Sequence, residues 1–185
     1  MTHTPGRMRD LDLYAHLAAY GDVLGVGIGG RPAEWEARLG SDHLDVSSHG
    51  VLRRDHGLVE LAFREDHGTW RCSGISLQVH RLGHGDPSTV PVPLRDTYGP
   101  FARRARFDEL TAVITGLGHP IEPDNDATTT DVHRYRVPRS GARIFVVADP
   151  DPYGDGEEDP DESACPEAGD VWAVDFSPAW WPVTD

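Results

Sequence analysis

Apolar and polar positions alternate most regularly between Val51 and Leu82. In Leu58–Phe63, residues Val59, Leu61 and Phe63 share one face, the period-two pattern of a half-buried strand. Arg64-Glu65-Asp66-His67-Gly68 is polar and ends in glycine, which predicts a hairpin connection. The return strand is predicted over 69–82. Trp70 and Cys72 hold one phase there, and Ile75, Leu77 and Val79 hold the other. The phase changes at Ser73-Gly74, where one extra residue, a β-bulge, keeps both sets on the buried face.

Leu11–Tyr20 reads as a short helix with Leu13, Tyr14 and Leu17 on one side, followed by a brief strand over 22–28. A helix over 31–39 has Pro32 near its first position and Gly40 as its stop. Pro87, Pro91, Pro93 and Pro100 predict a stiff, extended connector over 83–100. Beyond it, Asp108 is the expected N-cap of a helix over 109–117, striped by Leu110, Val113, Ile114 and Leu117 and stopped by Gly118. A turn-rich loop spans 119–130. Strands follow over 132–137, 142–148 and 171–176. Ile144–Ala148 is continuously apolar, as an interior strand requires, and Trp172, Val174 and Phe176 share a face. Helix-then-strands order recurs, so one domain (1–185) is read as two pseudo-repeats, 11–82 and 101–178. The predicted fold class is α+β, a mainly antiparallel twisted sheet with short helices on one face.

Composition narrows the function. With 38% hydrophobic and 26% charged residues the chain is globular. Every one of its 17 basic residues is Arg, and with 20 Gly and 15 Pro this points to GC-rich coding, as in actinobacteria. A net charge of -14 argues against nucleic acid and against an anionic membrane as ligands, both of which need a basic footprint. It leaves basic proteins as partners, or solubility alone as the role of the charge. MTHTPGRMRDLDLY lacks the apolar core of a signal peptide, and no run reaches the ~18 apolar residues of a membrane helix. The expected location is cytoplasmic. There Cys72, in strand phase, is a core thiol, and Cys165 lies in a loop.

Candidate chemistry is sparse. Gly25-Val26-Gly27-Ile28-Gly29-Gly30 matches G-x-G-x-x-G, but the helix after it is short and no parallel strand follows at βαβ spacing, so it reads as a turn entering a helix. His80 and His84 have HxxxH spacing without a helix to align them. Ser47-Ser48-His49 and Asp55-His56 supply hydrolase residue types without a nucleophile elbow. Arg103-Arg104-Ala105-Arg106 is expected to pair with the protein's own acids. The most unusual stretch is 149–162, with eight carboxylates in fourteen residues. From Asp151 it fits the EF-hand loop in part, but Tyr153 stands where a ligand belongs, and helices do not flank it. A solvated loop, weak cation binding and docking of a basic partner are all open to it. Trp180 and Trp181 either pack back onto the sheet or anchor a partner.

GVGIGGRPAEWEARLG, VLRRDHGLVELAF and WRCSGISLQVHRL, within residues 22–82, resemble small actinobacterial immunity proteins of polymorphic toxin systems. The doubled helix-and-sheet layout is also similar in outline to β-lactamase inhibitory proteins, which are binding modules. The resemblance implies a protein that neutralises a toxin by covering it. The acidity suits a basic toxin such as a nuclease or nucleic-acid deaminase. Asp151, Asp155, Glu157, Glu158, Asp159, Asp161 and Glu162 would mimic the phosphates the toxin grips, with Trp180 or Trp181 as anchor. No catalytic residue, cofactor or metal is expected. The alternatives are a small hydrolase or transferase using His and carboxylate groups, or a calcium-tuned adaptor.

Overall fold

The computed structural model describes residues 9–124, 131–151 and 165–178. In chain order its elements are α1 (Asp10–Tyr20), β1 (Asp22–Val23), β2 (Val26–Gly27), α2 (Pro32–Leu39), β3 (Leu44–Ser48), β4 (Val51–Asp55), β5 (Val59–Asp66) and β6 (Thr69–Leu77). Two 3-10 turns follow, Val79–His84 and Pro87–Thr89. Then come α3 (Val92–Tyr98), α4 (Phe107–Gly116), β7 (Glu122–Pro123), β8 (Val132–Val137), β9 (Ala142–Val147) and β10 (Val171–Phe176). Apart from the small β1–β2 hairpin, the strands form one eight-stranded sheet, ordered β3-β4-β5-β6-β10-β9-β8-β7 with every neighbour antiparallel. Each half is a four-stranded meander preceded by a helix, and the meanders meet last strand to last strand.

The core forms where the inward phases of the strands converge. Val59, Leu61 and Phe63 of β5, Ile75 and Leu77 of β6, Val174 of β10 and Ile144 of β9 are buried together with Leu13, Tyr14 and Leu17 of α1 and Trp35 of α2. Each of these large side chains contributes roughly 1.5–3 kcal/mol by leaving water. The helix α1 packs on α4, β9 and β10. It buries seven of its eleven residues, wider than the predicted one-sided stripe, because other elements surround it. The predicted bulge is present: Ala62 pairs with Gly74 and Phe63 with Cys72, leaving Ser73 as the extra residue. Cys72 and Ile75 therefore both point into the core.

Several local expectations are corrected. The strand predicted over 69–82 stops at Leu77, and Val79 and Leu82 reach the core from a 3-10 turn. The strand over 22–28 is a hairpin folded at Leu24-Gly25, both with positive φ. The connector over 83–100 is not extended. It holds α3, because Pro93 falls in the first helical turn, where a missing N–H costs nothing. Helix α4 starts at Phe107 with Arg106 at its cap, so Asp108 lies in the first turn, not at the N-cap. Strand β3 has no counterpart in the sequence reading, since all five of its residues are exposed and no buried phase marks it.

On the face opposite α1, one row of paired residues crosses all eight strands: Leu44, Asp55, Glu60, Ser76, Asp175, Arg143, Arg136 and Glu122. Polar side chains on this row find partners within it and in the segment that follows β6. Arg81 donates to Asp55 (2.8 Å) and Glu60 (3.0 Å), Gln78 donates to Ser76 (2.7 Å), and Arg136 donates to Glu122 (3.2 Å). Among the described residues no helix is long and apolar enough to cross a membrane.

Candidate partner-docking site

The strand β10 reads VWAVDF, and strict alternation would put Trp172 in phase with Val174 and Phe176. The structure breaks that alternation. Val171 pairs with Val146 and Ala173 with Phe145, so Trp172 is the extra residue of a second bulge. Trp172 is 36% exposed while Val174 is fully buried. The indole stacks face to face on His80, with ring centroids 4.1 Å apart and planes 2° from parallel. His80 Nδ1 lies 3.2 Å from the Trp172 carbonyl oxygen, which can only accept, so that nitrogen carries the proton. Burial lowers the His80 pKa, and the nearby Arg81 and His84 add to this against the opposing carbonyl hydrogen bond. The imidazole therefore stays neutral at pH 7 and serves as a flat support for the indole.

Two hollows adjoin the indole. One, of about 160 Å³, is lined by His80, His84, Arg103, Arg104 and Asp170. The other, of about 350 Å³, is lined by Asp131, Val132, Asp149 and Pro150. Trp172, Val147 and Pro166 line both. The second hollow thus has an apolar floor, an aromatic wall and two carboxylate residues.

The acidic stretch 149–162 begins at this wall, and the chain on either side of it is anchored. The Ala148 and Asp149 amides donate to the Asp131 carbonyl at 2.8 and 3.2 Å. On the return side, Val147 and Gly169 exchange bonds with the Asp170 and Val147 carbonyls. The buried Asp170 carboxylate accepts from Arg104 Nε (2.7 Å), Arg106 Nη1 (3.1 Å) and the Glu167 amide (2.8 Å). Arg104 also pairs with Glu167 at 2.7 Å. The Arg104 hydrogen bond, followed by its charge, holds the Glu167 carboxyl below its ordinary range. Arg104 and Arg106 do pair with internal acids, as expected, and these pairs hold Glu167 and Asp170, on the C-terminal side of the acidic stretch.

Of the sequence-predicted site residues, Asp151 is described: it is exposed, and its amide donates to Asp149 Oδ1 at 2.9 Å. Asp155, Glu157, Glu158, Asp159, Asp161, Glu162, Trp180 and Trp181 lie outside the described residues. Sequence reading missed Trp172, whose exposure depends on a bulge that the apolar run around it conceals.

The hydrolase residue types do not come together: Ser48-His49 and Asp55-His56 sit at opposite ends of β4. Ser48 Oγ and His49 Nδ1 are 2.6 Å apart on an exposed hairpin tip, while Asp55 accepts from Arg81 and the Gly57 amide. His56 is buried against His43, with ring centroids 5.0 Å apart. In the Gly-rich turn, the Gly25, Gly29 and Gly30 amides donate to Asp22 Oδ1, the Cys72 carbonyl and the Gly27 carbonyl. Those three amides already have partners, so they do not form a phosphate cradle. Among the described residues no three His, Cys, Asp or Glu side chains are grouped to hold a metal ion. Comparison with known protein families, curated proteins and solved structures finds no match.

Proposed function

We propose that this protein is an immunity protein: a binding module that neutralises a basic toxin, such as a nuclease or nucleic-acid deaminase, by covering it. The observation that carries this reading is Trp172. It is an exposed indole held flat against His80, and it shares a hollow with Asp131 and Asp149 where the acidic stretch begins. An aromatic face beside carboxylates suits an arginine of the partner, which stacks on the ring and forks to the acids. Trp is the residue type most enriched at energetic centres of interfaces, and a rigid one costs little entropy to dock. The acids of 149–162, together with a net charge of -14, steer a basic partner to that anchor. Trp172 takes the anchoring role first assigned to Trp180 or Trp181.

The test is capture of tagged protein from a lysate expressing the neighbouring genes, eluted with rising salt. One stoichiometric basic partner released by salt supports the reading, provided that Trp172→Ala weakens its binding about 30-fold or more, the loss expected of a hot spot. An expressed partner that is not retained, or is retained equally by Trp172→Ala, rejects it.

A further inference from the structure

The two edges of the sheet are finished differently. At one edge β7 is two residues long and contains Pro123, which has no N–H to offer, and the charged Glu122. That is how natural proteins blunt an edge. At the other edge β3 has five exposed residues, including Leu44 at 75% and Val46 at 69% exposure. The β3–β4 turn is His49-Gly50, both with positive φ, and Ser48 faces Val51 across it. In a two-residue hairpin of this kind the closing pair exchanges its backbone bonds, and pairs alternate from there. Ser48, Val46 and Leu44 therefore bond inward to β4. The N–H and C=O groups of Asp45 and Ser47 point outward, away from the sheet.

This edge is complementary to itself. Two antiparallel copies centred on Val46 put Asp45 opposite Ser47 twice, joining all four outward groups of each strand. Val46 then faces Val46 in a non-hydrogen-bonded pair, and Leu44 lies diagonally beside it. Centring on Asp45 would oppose two like charges, and centring on Ser47 would spend half the pairing on the turn. Asp45 is already oriented away from the Leu44–Val46 face by Arg54, whose Nε and Nη2 both donate to it at 2.9 Å.

We propose that β3 is a self-association edge, through which two copies form a twofold dimer with a continuous sixteen-stranded sheet in the Val46-centred register. A five-residue strand pair buries less than the roughly 1,000 Å² of a stable interface, so the dimer is expected to be weak and to form only at high concentration. Each copy carries -14, so screening strengthens the dimer as salt rises. That dependence is opposite to the one expected for the toxin, and the two readings fail separately.

The experiment combines sedimentation of the full chain with cysteine cross-linking in a Cys165→Ser background. Opposed residues of a non-hydrogen-bonded pair have Cα atoms about 4.5 Å apart, within disulfide range. Val46→Cys is expected to oxidise to a dimer at least tenfold faster than Ser47→Cys, whose partner residue is Asp45. Val46→Lys is expected to be monomeric with an unchanged melting temperature. A wild-type chain that stays monomeric at about 0.5 mM in about 0.3 M salt overturns the proposal. Equal cross-linking by the two cysteine variants, or a dimer that survives Val46→Lys, also overturns it.

Discussion

The Ser76 hydroxyl donates to the Asp175 carboxylate across the seam where β6 and β10 join the two meanders. Burial raises the Asp175 pKa against the Ser76 hydrogen bond and the Arg143 charge, which act to lower it. A carboxyl raised in the folded state binds more protons folded than unfolded, so its contribution to stability is greatest below the unfolded pKa and is lost as pH rises through the folded one. Asp175→Asn keeps an acceptor for Ser76 and removes the buried charge. It is expected to equal or exceed wild type in denaturant melts at pH 7. Asp175→Ala, which strands the hydroxyl, should lose about 1–3 kcal/mol.

His56 titrates in the opposite sense. Its pKa is lowered to about 4, first by burial and then by the charges of His43 and Arg54. Protons then bind the unfolded chain preferentially, so stability is full above about pH 6.5 and declines as pH falls toward 4. A loss of about 3 kcal/mol is expected across that window. His56→Phe should flatten this part of a stability–pH curve measured by urea melts. An unchanged slope would assign the acid sensitivity elsewhere.

Gly57 has φ of 84°, and a Cβ there would come within 2.3 Å of the Thr89 carbonyl oxygen. Thr89 is itself held by the Leu58 amide at 2.6 Å, so neither backbone can retreat. Gly50 has a similar φ of 76° but opens onto space. Gly50→Ala should cost about 1–2 kcal/mol from conformation alone, and Gly57→Ala clearly more. Equal melting temperatures for the two variants would contradict the packing of the 3-10 segment on the β4–β5 turn.

Partner kinetics should divide between the two features of the docking site. Neutralising the carboxylates of 155–162 together should slow association at low salt and leave dissociation nearly unchanged. Trp172→Ala should act mainly on dissociation. Surface-captured kinetics at two salt concentrations would separate them, and unchanged association would remove the acidic stretch from the interface.

Much of the fold could be read from one dimension because its signals are local. The alternation in Leu58–Phe63 marks a half-buried strand whatever it pairs with. The phase slip at Ser73-Gly74 marks a bulge because only an extra residue reconciles Cys72 with Ile75. Pro32 and Gly40 bracket a helix by their own backbone preferences. Strand β3 escaped notice because an edge strand with no buried face leaves no period to detect. Helix α3 escaped because prolines in a first helical turn resemble prolines in an extended linker.

The sequence by itself determined the α+β class, the central hairpin with its bulge, and the net acidity of the chain. Those follow from side-chain periodicity, backbone preference and summed charge, none of which depends on distant contacts. Only the tertiary structure decided that the meanders join through Ser76 and Asp175, that Arg104 and Arg106 both pair with Asp170, and that Trp172 faces outward on His80. Each depends on residues tens of positions apart being brought within a few ångströms, and the free energy of such contacts is not written in the local pattern of either partner.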